Sequence, residues 1–215
     1  MKRPAILIIS LVVVSFILAF YFYPLLPDRV ASHWDFLGQA NGYTGKLFGL
    51  FLIPFMIALF NILFIFIPDL DPEKKNIEQF RDTFNWFIVA FDVFMLYLYI
   101  LTIFWNTGHR FNMTAALMPA FAFLFYVVGI LVGKAKRNYT IGIRLPWTMA
   151  NDTVWDKTHR LGGKLFKLTA VITLFGVFFP DYAFWLLFVP LIASIIYLAV
   201  YSYLVFRKTG GAGGK

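Results

Sequence analysis

Apolar residues run almost unbroken through six stretches, Ala5–Tyr23, Leu47–Ile67, Phe84–Trp105, Ala115–Gly133, Gly163–Phe179 and Ala183–Phe206. Polar and charged residues collect between them. Each run is close to the ~20 residues that a helix needs to cross ~30 Å of hydrocarbon. The pattern therefore predicts an all-α, polytopic membrane protein of six transmembrane helices, the fifth being the shortest. Lys2 and Arg3 ahead of the first run could open a signal peptide. No small-residue cleavage site follows, and the run stays bulky through Tyr21, Phe22 and Tyr23, which predicts a retained span. Two connections are long, 24–46 and 134–162. The third is short, Asn106–Thr114, and Pro180-Asp181-Tyr182 makes a tight fifth. In the second, Asp71-Pro72-Glu73 reads as a helix cap, a Pro in the first turn and an acidic start. Ile77, Phe80, Phe84 and Phe87 then share a face, so the third helix is expected to begin near Pro72 and project from the membrane.

Composition sharpens this picture. The 215 residues are 60% hydrophobic and 14% charged, with no Cys. An ordinary domain is about 45–50% apolar and about 25% charged. A soluble globule, a disordered chain and a disulfide scaffold are thereby excluded. The net charge of +8 is distributed unevenly. Sixteen of nineteen Lys and Arg lie at the termini, in loops two and four and just past loop four. The exceptions are Arg29, Lys46 and Arg110. This split predicts that both termini and loops two and four are cytoplasmic, with loop 24–46 extracellular, in a multi-pass protein of the cell membrane. The Gly-rich stretch 210–215 is expected to be a flexible tail. No internal repeat is visible, so an inverted-repeat transporter gains no support.

Few residues carry chemistry. No nucleophile motif, phosphate loop or Cys/His cluster is present, which predicts a protein that is not an enzyme and needs no cofactor or metal. Asp92 is the acidic residue inside a span. A lipid-facing carboxylate costs ~2.5–3.5 kcal/mol on the insertion scale, so Asp92 should face the bundle. It reads either as a proton or ion site, with Lys167 the nearest basic partner by depth, or as a structural hydrogen-bond partner of Asn61. In the outer loop, Pro24 and Pro27 hold the chain extended, and Asn41 with Gly38, Gly42 and Gly45 supplies turns. Exposed Trp34, Phe36 and Tyr43 read as peptide contacts or as interfacial anchors. His33 could ligate a metal with Asp28, Asp35 and His109, although a local hydrogen bond suits it better.

In the inner loop, Ile141 to Arg144 alternates as extended chain up to Pro146, and Thr148 is a candidate helix cap. A helix from Asp152 would pair Asp156 with Arg160 and turn Val154, Trp155, Thr158 and Leu161 towards the membrane surface. Asp152, Asp156 and His159 would share a face, from which an acid–base pair can be drawn, against the plainer reading of a solvated, ion-paired face. Gly162-Gly163 would act as a hinge. The seven basic residues from Lys134 to Lys164 suit anionic lipid headgroups. Gly129 and Gly133 form a small-residue packing face. Arg144, Trp147, Trp155, His159 and Arg160 are expected to form one packed cytoplasmic unit.

The two long loops carry a resemblance. The first holds Pro27, His33-Trp34, Gly38 and Lys46. The fourth holds Ile141-Gly142-Ile143-Arg144, Pro146-Trp147-Thr148, Asn151, Val154-Trp155 and Thr158-His159-Arg160. In this order they resemble the SdpI family of bacterial immunity membrane proteins. The resemblance divides the chain into an N-terminal region, 1–114, and an SdpI-like region, 115–209. It implies a six-span protein that protects its host from a secreted peptide toxin, the sporulation-delaying protein. It also implies that toxin-bound protein can hold a cytoplasmic repressor at the membrane, with no direct contact to nucleic acid. Two other readings stay open on the residues alone: a small proton- or ion-coupled transporter or flippase using Asp92, and a membrane enzyme using the His159 region.

Overall fold

The computed structural model describes residues 2–210, the side chain of Lys2 apart; the expected flexible tail lies, from residue 211 onward, outside them. The chain runs α1 (Lys2–Phe22), β1 (Arg29–Trp34), β2 (Ala40–Gly45), α2 (Lys46–Leu70), α3 (Lys74–Glu78), α4 (Arg81–Asn106), α5 (Met113–Lys134), α6 (Pro146–Ala150), α7 (Asp152–Leu174), two single 3₁₀ turns (Phe175–Val177 and Pro180–Tyr182) and α8 (Ala183–Lys208). α4 packs against α1, α2 and α5, and α7 packs against α5 and α8. The four apolar helices α1, α2, α4 and α5, and the segment Pro180–Lys208, are long and apolar enough to cross a membrane. Only 11% of the apolar window of α1 and 22% of that of α2 is buried in the protein, as expected of faces that meet lipid.

Three expectations change. The fold is mostly helical, not all-α, because the first long loop is an antiparallel β-hairpin. Asn41-Gly42 ordinarily marks a hairpin turn. Here it lies within β2, Gly42 opposite His33 at an irregularity in the register, and the turn is Asp35–Gln39. The third helix does not run unbroken from Pro72: α3 ends at Glu78, and α4 starts afresh at Arg81. The segment expected as the fifth span is the C-terminal half of α7, which is one continuous helix from Asp152. Asp152, Asp156, Lys157 and Arg160 in its N-terminal half, with Lys164 and Lys167 just beyond, keep α7 outside the set of helices apolar enough to cross a membrane.

Gly162-Gly163 is a contact rather than a hinge. A Cβ on Gly163 would lie 2.7 Å from the Gly129 carbonyl oxygen, and one on Gly129 would lie 2.8 Å from the Gly163 carbonyl oxygen. The small-residue face on α5 thus packs within the bundle, where backbones approach closely. At the far end of the same interface, Gly176 sits against Met118. α7 and its following turn therefore lie antiparallel to α5, from Gly133 back to Met118.

Candidate functional site

The two long loops occupy opposite ends of α4 and α5. The fourth loop follows the C-terminus of α5 and packs on α3 and the start of α4. The hairpin docks on the C-terminus of α4 and the N-terminus of α5.

At the first of these ends, Trp155 is the largest side chain that is fully buried. It packs with Ile77, Phe80, Phe84, Leu131 and Ile141, and its indole N–H donates to the Ala135 carbonyl at 2.8 Å. The face expected to rest on the membrane surface is therefore inside the protein: Val154, Trp155 and Thr158 are buried. His159 stacks on Trp155 with ring centroids 3.8 Å apart. Its Nδ1 lies 2.8 Å from the Trp155 carbonyl, and its Nε2 accepts the Ile143 N–H at 2.9 Å. These partners require the neutral tautomer protonated at Nδ1. Burial, opposed by the Trp155 carbonyl and Asp156, lowers the His159 pKa from 6.5 to about 4.

The pairing drawn from helical spacing does not form. Asp152 pairs with Arg137 at 2.5 Å and Asp156 with Lys136 at 3.9 Å, so Asp156 meets a residue outside its own helix rather than Arg160. His159 is left without a carboxylate partner or a free nitrogen, which removes the acid–base arrangement. Gly142 makes this packing attainable. Its φ of +128° suits glycine alone, and a Cβ there would sit 2.4 Å from His159 Nε2. The segment Ile141–Arg144 is accordingly irregular rather than an extended strand.

Other residues of the run serve the same fold. Asn151, not Thr148, caps α7, accepting the Thr153 and Val154 N–H groups at 2.9 and 3.2 Å. Thr148 accepts the Leu145 N–H at 2.8 Å, within a turn that Pro146 opens as the first residue of α6. Arg144 is exposed and donates to the Tyr139 carbonyl. Trp147 turns away to α8, donating to Ser202 Oγ at 2.6 Å and packing edge-on against Tyr203. Arg160 is exposed. The expected five-residue unit is thus a Trp155–His159 centre, with Arg144, Trp147 and Arg160 placed around it on separate partners.

Two residues that the motif did not single out hold the loop shut. Asn138, fully buried, accepts the Ile141 and Thr140 N–H groups and donates to the Lys136 and Ile141 carbonyls. Asp71 accepts from Glu73 N–H, Tyr139 N–H and Thr140 Oγ1 at 2.8, 2.9 and 2.7 Å, joining loop two to loop four. Its place before Pro72 signals a turn; that it also reaches 69 residues ahead has no local signal in the sequence.

At the opposite end the hairpin is fastened through its backbone. Asn106 accepts the Ala31 N–H at 2.7 Å and donates to the Ala31 carbonyl at 3.0 Å. Asn112 donates to the Leu37 carbonyl and caps α5. Gly38 adopts φ +79°, and a Cβ there would collide with the Asn112 side chain at 2.4 Å. Lys46 pairs with Asp28 at 3.1 Å, and Pro27 is exposed. His33 bonds Asn41 at 2.5 Å, Asp35 caps its own turn, and His109 meets Thr107, so the residues considered for a metal go to separate partners. Trp34 is half-buried, edge-on to Trp105 at 5.7 Å, while the Arg110 guanidinium lies 3.5 Å over the other indole. The exposed large apolar side chains of the hairpin are Phe36 (54%), Leu37 (44%) and Tyr43 (51%). A cleft of about 510 Å³ beside Tyr43 and Arg110 lies on one flank, and an apolar cleft of about 300 Å³ beside Phe36, Phe121 and Phe184 on the other.

Between the two ends, Asp92 is fully buried midway along α4. Asn61 of α2 donates to its carboxyl oxygens at 3.0 Å. The expected neighbour Lys167 is elsewhere, with its stem against Gly129 and its ammonium 5.6 Å over Tyr126.

The model of the SdpI/YfhL protein family matches residues 134–202, and that of a domain of unknown function, DUF1648, matches residues 10–58. The chain is 22% identical over 208 residues to the immunity protein SdpI of Bacillus subtilis (strain 168), covering 95% of this chain and 98% of that protein. No solved structure matches.

Proposed function

The chain belongs to the SdpI/YfhL family of membrane proteins, and on that premise we propose that it is an immunity protein whose hairpin meets a secreted antimicrobial peptide. The end-to-end correspondence with an immunity protein supports the class of function. The observation that carries the choice of surface is the hairpin itself, a rigidly fastened ribbon that holds Phe36, Leu37 and Tyr43 in the open. Two clefts of different character flank it, one edged by a cation and one apolar, as an amphipathic peptide requires.

In this reading the hairpin is extracellular, the termini are cytoplasmic and the chain crosses six times. Supporting it, the sixteen-to-three charge split agrees with the bundle, because Lys2–Arg3, α3, loop four and the end of α8 share one end. The fifth crossing is α7 from Gly163 with its following turn, which keeps pace with α5 from Gly133 to Met118. A cysteine at exposed Ser32 should label from outside intact cells and one at exposed Ala150 should not; the reverse pattern contradicts the orientation. Function is tested by expressing the chain in a peptide-sensitive host and challenging it with the sporulation-delaying toxin and a panel of secreted peptides. Survival only with the chain present is expected. Equal killing by every peptide would overturn the immunity reading.

A further inference from the structure

The immunity reading makes no use of the polar pair at the centre of the bundle, Asp92 and Asn61. Asp92 is 0% exposed and Asn61 5% exposed. Among the described residues no Lys, Arg or His lies within ion-pair distance of Asp92. A carboxylate here has one neutral side-chain partner, the Asn61 amide, which is shared with the Ile57 carbonyl at 2.9 Å. Asn61 Oδ1 is buried and has no hydrogen-bond donor. A buried anion with a single neutral donor beside a buried acceptor with none is doubly unfavourable in an apolar bundle.

One proton resolves both defects. A neutral carboxyl turns its O–H to Asn61 Oδ1 while Nδ2 donates back to the other carboxyl oxygen, after a rotation of the amide about its own bond. Which amide atom is nitrogen follows from the hydrogen-bond network, so the two protonation states correspond to two amide settings. The neighbouring elements offer no alternative compensation. α1 carries Lys2, Arg3 and Tyr21 at its ends, and α2 carries Lys46 and Asp69 at its ends. α5 carries Tyr126, beneath the Lys167 ammonium, and Lys134 at its last turn. On α4 itself, Arg81 and Asp82 lie in the first turn and Tyr97 donates to the Ala116 carbonyl. Tyr99 is buried with its hydroxyl unpartnered. A metal cation is a poor fit, since hard cations take six or more oxygens and this site offers two carboxyl oxygens and one amide oxygen.

We propose that Asp92 and Asn61 form a proton-binding site in the membrane core, occupied by a proton at neutral pH and linking α2 to α4 through a carboxylic acid–amide pair. The site stands on this geometry, independently of the immunity function. The full chain in lipid nanodiscs tests it by infrared spectroscopy. The other Asp and Glu residues lie at the ends of the bundle. The carbonyl stretch of a protonated carboxyl should therefore be present at neutral pH, vanish as the medium is made strongly alkaline, and be lost in Asp92→Asn. Carboxylate stretches alone in the neutral wild type overturn the proposal, and this reading needs no variant. Dicyclohexylcarbodiimide supplies a second measurement, since it adds whole to a protonated carboxyl in an apolar setting and expels no leaving group. A single adduct on Asp92, undiminished when choline chloride is replaced by sodium chloride, is expected. Protection by sodium, or labelling only at other carboxyls, contradicts a proton site.

Discussion

The loops at the two ends of α4 and α5 have similar lengths and comparable densities of aromatic and polar residues, yet they use them in opposite ways. The fourth loop turns its patterned residues inward. Trp155, His159, Asn138 and Thr148 are buried, and Gly142 lets the backbone close over the imidazole. The first loop is tied down by its backbone through Asn106 and Asn112, and it leaves Phe36, Leu37 and Tyr43 facing out. A dense motif can therefore mark the part of a protein that builds the scaffold. The surface proposed to meet a partner carries the sparser signal, because exposed residues are not bound by packing.

This contrast can be broken at the basic end first. Trp155→Ala should cost about 3–5 kcal/mol, the range for deleting a buried Trp, and lower the thermal midpoint in detergent or nanodiscs markedly. An unchanged midpoint would mean that the loop is not a core. Acid should act next. The His159 pKa is depressed in the fold from 6.5 to about 4, so the unfolded chain takes up the proton first. Its stabilising contribution, on the order of 3 kcal/mol, is complete above 6.5 and lost as the pH falls towards 4. His159→Gln should be less stable at neutral pH and flatter over that window in a thermal-shift series.

At the hairpin end, Asn106→Ala removes both side-chain bonds to Ala31 and should cost about 1–3 kcal/mol. Amide exchange should then accelerate in residues 29–45 while the Trp155 indole N–H stays protected. Equal acceleration at both ends would show that the two loops are not separately held. The smallest effect on stability, within about 0.5 kcal/mol, is expected for Phe36→Ala combined with Tyr43→Ala, because neither side chain packs in the core.

The long apolar helices were legible because a membrane span needs only length and hydrophobicity. α7 was harder, since its charged first half and packed second half form one helix without a break that residue type would signal. The hairpin was hidden by Asn41-Gly42, a turn dipeptide placed inside a strand, and by strands only six residues long. Asn61 was legible as one of two candidate partners for Asp92; the other, Lys167, followed from depth alone, which does not say which way a side chain faces. The inward direction of Trp155 was not, since helical spacing gives a shared face but not what covers it. The cover comes from Ile77, Phe80 and Phe84, some seventy residues earlier in the chain. Asp71 shows the same limit, its partners Tyr139 and Thr140 being fixed only once the bundle has formed.

The division of labour between the two ends is tested most directly by the hairpin double variant in cells. Phe36→Ala with Tyr43→Ala is expressed in a peptide-sensitive host at wild-type membrane level, and survival is scored against a secreted peptide from which the wild type protects. The account predicts that protection is lost while the thermal midpoint of the purified variant stays at the wild-type value. Full protection by the double variant would contradict it and move recognition away from the hairpin.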